Sequence, residues 1–370
     1  MIPRWKIKRE LQRIQQRFGE IPHRIFGPAR TRRYDANRKD AIRITVGGSL
    51  LGAKVAVYLL WQPGELLEST IALCKQLAIR GYSTLIVSNA PISEKDKARL
   101  VPLVWHILER PNVGYDFGGY RDGILFLWEK NVRLERLLLF NDSVWFVPTP
   151  MGEALDIFES SEDEVFGTVV RRKKEKNWIE SYFFSFSKAV FESRAFSGFW
   201  RNYILSDNKY IVIRKGERDF GVALEAGGIK LRGLLSEELF MAKLKLRDAP
   251  FVLKTLKYAN AAPNKRLADE RSDLVKIFEE SDKWMQSALR HIESSLRVSV
   301  VRAQFGVSCM ELFGFPFVKK SNEPENIGAR SQYLRAVSEN ELPRPKTDVL
   351  GEIEARQKAP ARKNPAWMNA

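Results

Sequence analysis

The sequence predicts an α/β fold: a mostly parallel sheet flanked by helices, with a helical C-terminal region and a basic N-terminal arm. Three observations carry this expectation. From about residue 54 to 150, short apolar runs alternate with helix-length segments, the order that gives parallel pairing through right-handed crossovers. The runs themselves are continuous, as in strands covered on both faces. Charge is uneven: residues 1–40 hold twelve Lys or Arg against four Asp or Glu, half of the formal +16 of a 370-residue chain.

Trp5, Ile7, Leu11, Ile14 and Phe18 lie at helical spacing among Arg4, Lys6, Lys8, Arg9, Arg13 and Arg17. This predicts a short helix over 4–18, either of the kind that lies on anionic membrane or a solvated arm. Residues 27–50 read as a linker. Val55–Trp61 is a buried strand, broken by Gln62-Pro63-Gly64. A helix follows over 66–80, a second strand over Ser83–Ser88 closing on Asn89, a helix over 94–104 and a third strand over 104–108.

Arg110–Gly123 reads as a shaped, glycine-rich loop, followed by a helix over 120–130. A fourth strand over 137–140 ends in Asn141-Asp142. After residue 150 the alternation weakens. Strands are expected over 165–170 and 178–186, helices over 191–203 and 267–300, and a helix opening on Glu217-Arg218-Asp219 and ending near Gly227-Gly228. The expected organisation is an arm and linker over 1–50 and one domain over 51–320, in two halves of about 51–150 and 151–320. A disordered tail is expected over 321–370.

Composition excludes several classes. With only His23, His106 and His291, none in a metalloprotease or nucleophile-elbow context, chemistry must rest on carboxylates and backbone amides. Cys74 and Cys309 lie far apart on apolar segments, as buried free thiols do. No apolar run reaches the roughly 18 residues of a membrane span, and the first residues lack the apolar core of a secretory signal. The expected location is cytoplasmic, peripheral on the inner face of the plasma membrane. No nucleic-acid-binding motif accompanies the basic arm.

In open parallel sheets, ligands bind beyond the C-terminal strand ends. Asn89, the 110–123 segment and Asn141-Asp142 all fall there. Glycines let a ligand approach the backbone, and exposed amides suit a diphosphate. Asn89, Asn112, Gly114, Asp116, Gly118, Gly119, Arg121, Asp122 and Asn141 are therefore the candidate donor-binding residues. Asp142, a carboxylate closing an apolar strand, suits Mg²⁺ or Mn²⁺ bridging a diphosphate, or a simple Asx turn. Inverting glycosyl transfer needs one base for the acceptor hydroxyl. Glu217 and Asp219 suit that role or cap a helix.

These segments together resemble the rhamnan synthesis protein F family over about residues 52–320. The resemblance rests on Asn112-x-Gly114-x-Asp116-x-Gly118 with Tyr120 and Asp122, and on Leu139-x-Asn141-Asp142-Ser143. Ser181-Tyr182-Phe183, Phe199-Trp200 and Gly314-Phe315-Pro316-Phe317-Val318-Lys319 add to it. It implies a GT-A-like glycosyltransferase of rhamnose-containing surface polysaccharide, with a nucleotide-sugar donor and a polysaccharide or lipid-linked glycan acceptor. A wider similarity to inverting GT-A families implies Glu217 as base and Asp219 as supporting acid. Two departures stand out: Asn141-Asp142-Ser143 lacks the second carboxylate of an Asp-x-Asp pair, and Glu217 stands where aspartate is usual. A non-catalytic assembly or sugar-binding protein on the same fold is the alternative that the missing carboxylate favours.

Overall fold

The computed structural model describes residues 4–359 apart from 160, 174 and 261–264. A nine-stranded sheet forms its centre. The strands are β1 (Arg43–Val46), β2 (Lys54–Leu60), β3 (Tyr82–Ser88), β4 (His106–Glu109), β5 (Arg136–Asn141), β7 (Val165–Lys173), β8 (Lys176–Ile179), β9 (Phe183–Ser187) and β10 (Leu231–Leu235). β6 (Val144–Phe146) and β11 (Phe317–Lys319) make a separate antiparallel pair. The sheet order is β1-β4-β3-β2-β5-β9-β7-β10, with β8 on β7. The expected parallel core is present as β4-β3-β2-β5. Antiparallel β1 and β9 flank it. Chain order reverses between β2 and β5, and such reversals open a crevice at the C-terminal strand ends.

The strands form because they are apolar throughout: all of Val55–Leu60 and Leu137–Asn141 are buried. A glycine-permitted contact brings the next helix unusually close. The segment expected as a loop to residue 123 is a loop only to Gly114, and Tyr115–Glu129 is helical. Gly114 turns into the helix with φ +81°. A Cβ on Gly119 would lie 2.2 Å from Leu59 Cδ1 on β2. The glycines that suggested a loop thus serve helix–sheet packing, which overrides their weak helix propensity.

Three further expectations are corrected. Residues 27–41 are not a linker, because one helix runs over Arg4–Ala41. It docks through Tyr34, Asp35 and Arg38 onto the Tyr115–Glu129 helix. The side chains of residues 4–18, and with them the amphipathic face, lie outside the described residues. The 178–186 strand is two strands, β8 and β9, separated at Glu180–Tyr182. The tail up to residue 358 is not disordered: helices Pro324–Ser338 and Thr347–Lys358 bury Arg330, Tyr333 and Ile353. Residues 360–370 lie outside the described residues.

The N-terminal helix is locked by a buried ion pair. Arg110 Nε donates to Asp122 Oδ2 (2.5 Å) with both side chains fully buried, and Tyr34 donates to the same oxygen (2.6 Å). Removing one charge from such a pair leaves the other uncompensated, at a cost of roughly 3–5 kcal/mol. Asp122→Asn should lower unfolding free energy by that order in urea titration. A loss below about 1 kcal/mol would mean that Arg110 finds another partner.

Candidate functional site

The end of β5 sits against the end of β2 at the chain-order reversal. The Asp142 amide donates to Leu59 O (3.0 Å), and Asp142 Oδ2 accepts from the Trp61 amide (2.9 Å) and from Gln62 Nε2 (3.0 Å). Asn141 is buried and bridges outward. Its Nδ2 donates to Asp116 Oδ2 (3.0 Å), and its Oδ1 accepts from the Ser143 amide (3.1 Å). Asp116 stands in the first turn of the Tyr115–Glu129 helix. A second carboxylate thus stands beside the Asn141-Asp142-Ser143 run, from a different element.

Tyr120, one turn on, ties this corner to the β8–β9 turn and Glu217. Its hydroxyl donates to Ser181 O (2.8 Å), and the Ser181 amide donates to Glu217 Oε2 (2.8 Å). Asp116, Asp142 and Glu217 all act on the buried Tyr120 hydroxyl, holding its pKa far above the ordinary value after burial itself. Four of the residues expected from the sequence, Asp116, Asn141, Asp142 and Glu217, thus converge.

The remaining candidates have other placements. Asn89 is buried and accepts from Arg110 Nη1 (2.6 Å). Arg121 forms a two-pronged ion pair with Asp35 (2.6 and 2.8 Å) and donates to Trp200 O (3.1 Å). Asp122 pairs with Arg110. These three hold the loop and the N-terminal helix. Gly114 and Gly119 serve the turn and the close approach described above. Gly118 does likewise, since a Cβ there would lie 2.0 Å from Val113 O. Asn112 is exposed on the loop. Asp219 lies in surface pairs with Lys215 (3.1 Å) and Lys176 (3.8 Å).

Glu217 does not open a helix. It lies in a π-helical segment, Val212–Arg218, between Lys209–Ile211 and Asp219–Ala226. Such π-turns often mark functional positions. Inside a continuous helical run, Glu217 lacks the helix N-terminus that would favour its ionised form. Instead burial, then the Glu180 carboxylate, raises its pKa above the ordinary value. A carboxylate raised in this way is a stronger base when ionised.

Two charged groups at the site were not anticipated as such. Glu180, in the β8–β9 turn, pairs with Arg302 (2.7 Å) and Arg171 (3.3 Å). Burial opposes ionisation there, yet the two arginines hold its pKa below the ordinary range. Lys319, at the end of β11, places its ammonium 3.4 Å from Ser143 Oγ and 3.7 Å from the Tyr182 ring centre. The signals were present but unassigned: Glu180 precedes Ser181-Tyr182-Phe183, and Lys319 ends the Gly314–Lys319 motif.

The donor set suits a protein-held metal poorly. Among the described residues, no three His, Cys, Asp or Glu gather as metal ligands. Asp142 Oδ2 is already occupied by two N–H donors. Hard cations that take only one or two carboxylates draw their other ligands from water and phosphate.

Residues 84–254 match the family model described as rhamnan synthesis protein F, so the expected resemblance holds over that segment. It spans Asp116, Asn141, Asp142 and Glu217 and stops before Lys319. A protein of Sinorhizobium fredii, named uncharacterized protein y4gN, is 33% identical over 248 residues. The match covers 66% of this chain and 65% of that relative, a little under two thirds of its length. The description of that family names rhamnan synthesis, a polysaccharide-building process.

Burial, with the Asp142 carboxylate second, raises the Asp116 pKa from 3.8 to about 6. The folded state therefore binds this proton more tightly than the unfolded chain, and stability falls as pH rises from about 4 through 6. Asp116→Asn removes that penalty. Its melting temperature relative to wild type should be more favourable at pH 7 than at pH 4.5. An equal difference at both values would show that Asp116 is not held protonated by its surroundings.

Proposed function

We propose that this chain is an inverting glycosyltransferase of GT-A-like architecture. It transfers a sugar, rhamnose in the family's context, from a nucleoside-diphosphate donor to a growing surface glycan. The observation that carries this reading is the convergence of Asp116, Asn141 and Asp142 with Glu217 at the reversal of strand order. The description of the matching family supports the same reading.

In this mechanism the donor diphosphate lies over the ends of β2 and β5, near the start of the Tyr115–Glu129 helix, with the sugar directed towards Glu217. Glu217 takes the proton of the acceptor hydroxyl as that oxygen attacks the anomeric carbon. The bond from that carbon to the phosphate oxygen breaks, and its electron pair leaves with the diphosphate. The Ser181 amide holds Glu217 in place, and Tyr120 holds Ser181. Asp219, paired with Lys215 and Lys176, ties the end of the Val212–Arg218 segment to β8.

The arm supplies attachment in this reading. No helix among the described residues is long and apolar enough to cross a membrane. Ile25 and Phe26 are exposed on the N-terminal helix, 62% and 60% accessible, beyond the basic stretch. The reading places the enzyme on an anionic inner membrane face. Each basic residue near such a surface contributes on the order of 1 kcal/mol. Changing Arg4, Lys6, Lys8, Arg9, Arg13 and Arg17 to Gln should abolish sedimentation with anionic vesicles and leave the melting temperature unchanged. Undiminished sedimentation would remove the arm from the account. A cut at residue 41 is unsuitable for this purpose because it deletes Tyr34, Asp35 and Arg38.

The test of the chemistry is sugar transfer from a panel of nucleotide-sugars, measured beside donor binding. Glu217→Gln keeps shape and the Ser181 contact but removes basicity. Donor affinity should stay near wild type while turnover drops about 10²-fold or more. Turnover close to wild type would exclude Glu217 as the base. Absence of transfer or donor hydrolysis by the wild-type protein across the panel, with donor still bound, would favour a sugar-binding assembly protein.

A further inference from the structure

The site gathers negative charge at the place where a dianionic leaving group would have to sit. Asp116 and Asp142 lie at its centre, Glu217 and Glu180 at its rim, and the donor set for a protein-held metal is poor. Something cationic must face the donor. Arg302 is engaged, since it donates to Glu180 (2.7 Å) and to Asn326 Oδ1 (3.2 Å). Arg171 is likewise paired with Glu180 and Glu237.

Lys319 differs from both. Among the described residues it forms no ion pair; its polar contact is Ser143 Oγ, directly after the Asn141-Asp142 corner. The Tyr182 ring covers one side of its ammonium. Its neighbours by charge are Arg302, Glu180, Glu217 and Asp116, on four different elements. Lys319 is thus a cation at the carboxylate cluster with hydrogen-bonding capacity to spare.

Its backbone is held firmly. Arg330, fully buried on the Pro324–Ser338 helix, donates to Lys319 O (2.9 Å) and Ser321 O (2.5 Å) and to the Asn322 and Gln357 side chains (3.2 Å each). β11 also pairs with β6 directly after the Asp142 turn, with Lys319 opposite Val144. A buried arginine that spends its donors on neutral oxygens around one lysine is a positioning device for that lysine.

We propose that Lys319 is the group that binds the donor diphosphate and neutralises the leaving phosphate, so that the site recognises a nucleoside diphosphate without a protein-held metal. This rests on the glycosyltransferase reading above and adds to it the ligand for the leaving group. Burial, then Arg302, lowers the Lys319 pKa to about 7, while Glu180, Glu217 and Asp116 oppose that shift. An arriving phosphate favours the ammonium form. Affinity should therefore be greatest below about pH 7 and fall as pH rises beyond it.

The experiment is calorimetry in EDTA with UDP, dTDP, GDP and inorganic pyrophosphate, on wild type, Lys319→Met and Lys319→Arg. Wild type should bind one nucleoside diphosphate, with pyrophosphate competing. Lys319→Met should weaken that binding about 10-fold or more, the scale of a lost charge-assisted hydrogen bond. Lys319→Arg should recover part of it, and the decline in affinity from pH 7 to 9 should disappear in Lys319→Met. If wild type binds a diphosphate and Lys319→Met binds it equally, the Lys319 assignment is wrong while the glycosyltransferase reading stands. If wild type binds only when Mn²⁺ or Mg²⁺ is supplied, the metal-free assignment is wrong. If wild type binds none of the four under either condition, the reading beneath both fails. Should Lys319→Met not fold, the wild-type pH dependence decides: affinity flat from pH 7 to 9 overturns the proposal.

Discussion

The approach of the Tyr115–Glu129 helix to β2 is the constraint on which the rest depends. Because Gly118 and Gly119 carry no Cβ, the helix settles against Leu59 and the Val113 carbonyl. That depth sets Asp116 within hydrogen-bond distance of Asn141 at the end of β5. It also lets Tyr120 reach Ser181, and through it Glu217. On its opposite side, the same helix receives the N-terminal helix through Asp122 and Arg121. A side chain at Gly119 would push the helix outward and separate both halves of the site together.

Electrostatics then divides the labour. Burial denies the carboxylates water, and a neighbouring carboxylate adds repulsion, so Asp116 and Glu217 both rise in pKa. Arginines meet part of the charge: Arg302 and Arg171 hold Glu180 ionised. What remains is a half-buried patch in which Lys319, among the described residues, meets Ser143 Oγ and the Tyr182 ring and no carboxylate at ion-pair distance. Such an arrangement is costly to keep in a protein that does not use it, since unpaired charge in a low dielectric destabilises the fold.

Much of this was legible in the sequence, for identifiable reasons. Strands such as Leu137–Phe140 are apolar at every position, so pattern alone locates them, and Asn141-Asp142 follows as the polar end. The helix after Gly114 was hidden because glycine is a poor helix former in isolation; only contact with Leu59 reveals why it is there. The unbroken aromatic run of 178–186 concealed the turn at Glu180–Tyr182, where two site residues sit. The C-terminal segment looked disordered by composition, yet Arg330, Tyr333 and Val337 on one helix and Val349, Leu350 and Ile353 on the next are spaced to bury one face of each. Lys319 reaches the site by the pairing of β11 with β6, a long-range contact that no local pattern encodes.

The central claim is that Asp116, Asn141, Asp142 and Glu217 form one site for a nucleoside diphosphate. Carbon-13 carboxyl NMR of Asp116, titrated with and without a saturating nucleoside diphosphate in EDTA, tests it most directly. An anion bound beside this carboxyl disfavours its ionised form. The account predicts that the Asp116 midpoint, about 6 in the free protein, moves upward with the diphosphate and stays in place with the matching nucleoside. An unchanged midpoint at saturating diphosphate would contradict it.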